Sequence, residues 1–134
     1  MGQKNERGAV AVEMALLLPV LLLLLLGIME FGRAYNAQVT LTNAAREGVR
    51  VMAITTVQAD ARTAATNAMS TLNPTATNPT FAFTFATTPA SSPSPTTCAA
   101  GRQVSMTISY SLSSLTGIAG PFSMTGRGVM QCGG

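Results

Sequence analysis

The chain has 134 residues and a formal net charge of +3, with charged side chains at only 10% of positions. That length suits one apolar segment plus one small domain, and so sparse a charge leaves no basic patch for nucleic acid. There is no histidine, so the commonest general base and metal ligand is missing.

Residues 1–8, MGQKNERG, form a short basic leader carrying Lys4 and Arg7, with no structural signal of its own. From Met14 to Met29 no side chain is charged or strongly polar, and Leu21 to Leu26 are six leucines in a row. At ~1.5 Å per helical residue this core is a little short for a hydrocarbon layer of ~30 Å. Adding Ala9 to Val12 gives a transmembrane helix over 9–29, but Glu13 then lies inside it. A carboxylate near the middle of a membrane helix costs roughly 2.5–3.5 kcal/mol, and less near the interface. Either Glu13 marks the membrane edge and snorkels, or a cation pairs with it.

A cleaved secretory signal fits the basic start and the apolar run. Against it, Glu13 interrupts the run, no small-x-small cleavage pattern follows Met29 cleanly, and a helical pattern continues past Glu30. Basic residues on the two sides do not settle orientation: Lys4 and Arg7 stand against Arg33, Arg46 and Arg50. Pro19 removes one hydrogen bond inside the span and permits a kink, which membrane helices tolerate. Gly27 is small enough for close helix packing.

The span 30–72 reads as an amphipathic continuation followed by a second helical segment. Phe31, Ala34, Tyr35, Gln38, Leu41, Ala45, Gly48, Val49 and Met52 recur at helical steps and define one face. Arg33, Asn43, Glu47 and Arg50 fall largely elsewhere, and Glu47 can pair with Arg50. Arg46, Glu47 and Arg50 are either a solvated helix face or a subunit contact. Ala53 to Leu72 is rich in alanine and threonine and predicts a second helix or bent continuation, stopped by Asn73-Pro74.

Residues 73–134 read as loop and β-strand. Thr75 to Gly101 carries Pro79, Pro89, Pro93 and Pro95 and is mostly loop. Within it, Phe81, Phe83 and Phe85 alternate with small residues and predict a half-buried strand over Thr80–Thr87. The clearest strand is Gln103 to Leu112, where Val104, Met106, Ile108, Tyr110 and Leu112 alternate with hydroxyl residues. Phe122 to Cys132 alternates again, with Gly126 and Gly128 weakening it or marking a bulge. The last two strands are expected to pair antiparallel, with the long helix covering their apolar face. The fold class is α+β: a long N-terminal helix, its first half transmembrane, followed by a small antiparallel sheet.

Nothing points to catalysis. The acids are Glu6, Glu13, Glu30, Glu47 and Asp60, two of them in or beside the membrane segment, and no G-x-S-x-G elbow or phosphate loop occurs. Cys98 and Cys132 lack C-x-x-C spacing and histidine company, so a metal or redox site is unsupported. If the C-terminal part is exported, a Cys98–Cys132 disulfide is expected, closing a loop of about 35 residues and worth ~3–4 kcal/mol. The alternative is two buried free thiols. The chain is expected to be no enzyme and to need no cofactor or metal.

The string Gly8, Ala9-Val10-Ala11-Val12, Glu13, with a basic flank before it and a leucine run after it, resembles the leader of type IV prepilins and pseudopilins. The segment GAVAVEMALLLPVLLLLLLGIMEFGRAYNAQVTLTNAAREGVRV as a whole resembles the TadE-like family, the minor pseudopilins of tight-adherence (Tad/Flp) pilus systems. Glu13, Pro19, Glu30-Phe31-Gly32-Arg33, Tyr35-Asn36 and Ala44-Ala45-Arg46-Glu47-Gly48-Val49-Arg50 carry the likeness. Met14 departs from it, since many such chains place Phe after the glutamate. The resemblance implies a pilin-like fold and a role in assembling an adhesive pilus. It also implies a prepilin peptidase cutting between Gly8 and Ala9, and a cytoplasmic N-terminus with the C-terminal domain extracytoplasmic. The implied partners are the membrane, other pilin or pseudopilin subunits, the peptidase and the pilus secretion machinery. Glu13 would then be the assembly acid, one helical turn from the new amine at Ala9. The other reading open on the residues is an unprocessed single-pass anchor displaying a small binding or adhesion domain.

Overall fold

In a computed structural model, the structure describes residues 3–72, 78–87, 97–115, 117 and 121–133. It divides into two compact units, Met1–Arg33 and Ala34–Gly134. Helix α1, Gln3–Thr55, runs through the first and into the second. α2 is Gln58–Ala68, followed by a 3-10 turn, Ser70–Leu72; the strands are β1 (Thr80–Thr87), β2 (Arg102–Leu112) and β3 (Phe122–Gln131).

The first unit is the N-terminal part of α1. The helix begins at Gln3, earlier than the start expected near Ala9. Gln, Lys, Glu and Arg are good helix formers, and nothing between Gln3 and Ala9 halts propagation toward the N-terminus. Pro19 sits inside α1 without ending it. The large apolar side chains from Val10 to Met29 are all exposed, from 37% at Leu26 to 71% at Leu16.

In the second unit α1 turns an alanine-rich face to the core: Ala37, Leu41, Ala44, Ala45, Val49 and Met52 are buried. The expected face is thus corrected in part. Leu41, Ala45, Gly48, Val49 and Met52 are buried and Ala34 is half-buried, but Phe31, Tyr35 and Gln38 are exposed. Ala37 and Ala44 take the inner positions because a methyl group lets backbones approach where a ring cannot. Thr56 ends α1 in the left-handed conformation, φ 58°, its N–H donating to the Met52 carbonyl at 3.0 Å, a cap more often made by glycine. α2 buries Ala61 and Ala65, one turn apart. It ends at Ala68, ahead of Asn73-Pro74, which lies outside the described residues, as do Pro89, Pro93 and Pro95.

The sheet has the order β1-β2-β3, antiparallel throughout. β1 has the bounds expected, and β2 and β3 differ from expectation by one residue at one end. The register puts Phe83, Met106 and Gly128 side by side on one face, and Phe81, Ile108 and Gly126 beside them. On β2 that face is buried at Val104, Met106, Ile108, Tyr110 and Leu112. On the other face Thr84 and Ser105 share a hydroxyl hydrogen bond.

Gly126 and Gly128 make no bulge, because β2 and β3 pair one-to-one from Gln103↔Gln131 to Leu112↔Phe122. Their role is close approach. A Cβ on Gly126 would lie 2.3 Å from the Leu41 carbonyl oxygen, and one on Gly128 would lie 2.5 Å from that of Ala45. Residues four apart on α1 thus meet residues two apart on β3, spacings that match for a helix running along a strand. Gln38 reinforces the contact by donating from Nε2 to the Thr125 carbonyl at 2.8 Å. α2 is tied to the sheet by Arg62 over the Phe83 ring, 5.8 Å from its centre. The Tyr110 hydroxyl donates to the Leu72 carbonyl just beyond.

Because the atoms facing Gly126 are backbone, they cannot swing aside. Gly126→Ala is expected to destabilise the second unit by about 1–3 kcal/mol, while Gly32→Ala, with nothing within 4 Å of the new methyl, should not. Thermal denaturation of the full-length protein in detergent, followed by circular dichroism, checks this; equal melting of the two variants would refute the close-approach role.

Candidate functional site: the apolar helix and its flanks

Gly8 and Ala9 lie within α1 and are exposed, and apart from the adjoining backbone of the helix nothing lies within 4 Å of a Cβ built on Gly8. Ala9 and Glu13 are four residues apart on one helix and so share a face. Glu13 is exposed. After Glu13 there is no charge until Glu30, which pairs with Arg33 at 3.8 Å. Helix α1 is long and apolar enough to cross a membrane: its most apolar 18-residue window has a mean hydropathy of 2.7, and none of that window is buried. Protein interiors hide such surface and water opposes it; a bilayer accepts it.

Glu47 pairs with Arg50 at 3.4 Å, three residues apart as expected, with both side chains partly solvated. A pair of this kind contributes a few tenths of a kcal/mol. Arg46 is exposed beside them. The three lie apart from the Gly8–Glu13 end, on the part of α1 that belongs to the second unit.

Cys98 and Cys132 form a disulfide with Cα atoms 5.4 Å apart, an ordinary span for such a bond. It ties the chain just before β2 to the residue just after β3, closing the base of the pair. The Cys132 N–H donates to the Arg102 carbonyl at 2.8 Å, and the Arg102 guanidinium donates to the Thr97 carbonyl at 3.1 Å. Among the described residues no three His, Cys, Asp or Glu side chains come together as a metal site.

Reasoning from residue types alone missed Gln38, Arg62 and Tyr110 as the groups fixing α1 and α2 to the sheet. The Gly126-x-Gly128 spacing on an alternating strand was the available signal for the helix contact.

An uncovered apolar helix leading into a disulfide-closed α+β unit defines a class: a small domain with, among the described residues, one candidate membrane span. The comparisons narrow this. Residues 8–50 match the model of the family described as TadE-like protein, so the likeness read from Gly8 to Arg50 is that of the TadE-like family, and it points to a pilus-associated component of a Tad system. That family is one of structural pilus components and is not known as an enzyme. No curated protein and no solved structure matches the chain.

The disulfide yields its own test. Cys98→Ser with Cys132→Ser should lower stability by about 3–4 kcal/mol in the loop-entropy estimate. Intact mass after alkylation without reductant should show no modified thiol in the parent protein. Two alkylated thiols would contradict the pairing.

Proposed function

We propose that this chain is a minor pilin or pseudopilin of the TadE-like kind, a membrane-anchored structural component used in assembling an adhesive tight-adherence pilus. The observation that carries this reading is the family match itself, which begins at Gly8 and runs over the uncovered apolar helix. In this reading the leader faces the cytoplasm, the second unit is extracytoplasmic, and a prepilin peptidase cuts between Gly8 and Ala9. Glycine is the weakest helix former but proline, by about 1 kcal/mol relative to alanine. The turn around Gly8 is therefore where α1 opens most easily into the extended backbone a peptidase takes.

The new amine at Ala9 serves a neighbouring subunit. Burying the Glu13 carboxylate in lipid is costly alone and less so beside a cation. A neighbour's amine is such a cation, so the pair favours subunits packed side by side. Arg46, Glu47 and Arg50 are the candidate contact on the second unit; their exposure and their place at the end of the matched segment support this. The protein acts by packing against other subunits and the secretion machinery.

N-terminal mapping of the protein from cells with and without the cognate peptidase tests the processing step. The chain should begin at Ala9 only where the peptidase is present, and Gly8→Leu should abolish the cut yet keep the protein in the membrane. A start at Met1 or Gly2 in both cells would replace this reading with the unprocessed anchor; a start beyond Met29 would indicate a secretory signal. For the acid, Glu13→Leu should leave insertion intact and reduce pilus output at equal protein level. Normal output would leave Glu13 a snorkelling edge residue.

A further inference from the structure

We propose that Phe31, flanked by the Glu30–Arg33 pair, is the depth anchor of α1, held in the phospholipid headgroup layer at the C-terminal end of the membrane span. This rests on reading α1 as a span and adds where that span stops and what sets its height.

Phe31 is the most exposed large apolar side chain described, at 73%. Its helical spacing places it over Ile28 and Leu24, which are 62% and 59% exposed. It therefore extends the same lipid-facing stripe past the last apolar turn. Beside it Glu30 and Arg33 lie 3.8 Å apart, their side chains 13% and 38% exposed respectively. A carboxylate and a guanidinium so placed carry no net charge into the interface, and the Arg33 stem can lie along apolar surface while its head reaches lipid phosphate. Tyr and Trp favour this level of a bilayer because they join a ring to a polar tip; here the ring is Phe31 and the polar groups are its neighbours Glu30 and Arg33.

The spacing along α1 agrees. At 1.5 Å per residue, Ala9 to Met29 rises about 30 Å, matching the hydrocarbon thickness of ~30 Å. With Phe31 at one headgroup layer, Glu13 lies about 27 Å away along the axis, just inside the opposite interface rather than in the middle of the bilayer. The Gly8–Ala9 bond lies about 34 Å away, outside the hydrocarbon. A shift of one turn in either direction is opposed. One way draws Glu13 into lipid, and the other buries Glu30 and Arg33. Phe31 and the Glu30–Arg33 pair beside it thus set, together with Glu13, the height of the Gly8–Ala9 bond on which processing is proposed to depend.

The chain contains no tryptophan, so single-tryptophan variants report one site each. Phe31→Trp, Leu22→Trp and Val129→Trp of the full-length protein would be placed in phosphatidylcholine–phosphatidylglycerol vesicles with lipids brominated at shallow or deep acyl positions. Leu22→Trp should be quenched most by deep bromines, Phe31→Trp most by shallow ones, and Val129→Trp by neither. Phe31→Trp behaving like Val129→Trp or like Leu22→Trp would overturn the anchor while leaving the span in place. Loss of quenching at Leu22→Trp would overturn both. A Met14→Trp probe then tests causation: adding Phe31→Ser should change its ratio of shallow to deep quenching, and an unchanged ratio would overturn the role of Phe31.

Discussion

The constraint on which the rest depends is the uncovered apolar surface between Val10 and Met29. Fully burying one leucine-sized side chain is worth about 1.5–3 kcal/mol, and here every large apolar side chain along that stretch is exposed. That surface makes α1 a candidate membrane span, and a bilayer suits such a helix because its backbone hydrogen bonds are internal.

Because the leucine run lies on the uncovered part of α1, the second unit builds its core from what remains, and that composition explains its construction. The helix contributes mainly alanines, the strand facing it contributes glycines, and the two backbones meet directly. Met52, Met69 and Met106 are fully buried and fill the irregular gaps such packing leaves. A unit of this size gains little margin from burial alone, and the Cys98–Cys132 bond supplies a covalent tie across the base of β2 and β3.

Much of this was legible in the sequence, for identifiable reasons. The strands were, because Phe81-Phe83-Phe85 and Val104 to Leu112 alternate strictly and are bounded by turn-forming residues. The disulfide partners were, since only two cysteines exist. The face of α1 was less so: reading large side chains as the core favoured Tyr35, which is exposed, over Ala37, which is buried. The glycines of β3 were misread because a bulge and a close approach look alike until the partner backbone is known. At the N-terminal end the Gly8–Glu13 spacing was visible as a motif, but the helix reaching back to Gln3 was not, since polar residues alone do not mark a boundary.

The central claim, that α1 crosses a bilayer and carries a folded unit beyond it, is tested most directly by alkaline carbonate extraction of membranes from cells making the full-length protein. The protein should remain in the membrane pellet and come out only with detergent. Release into the carbonate supernatant would contradict the claim, since a peripheral or soluble protein leaves under those conditions and a spanning helix does not.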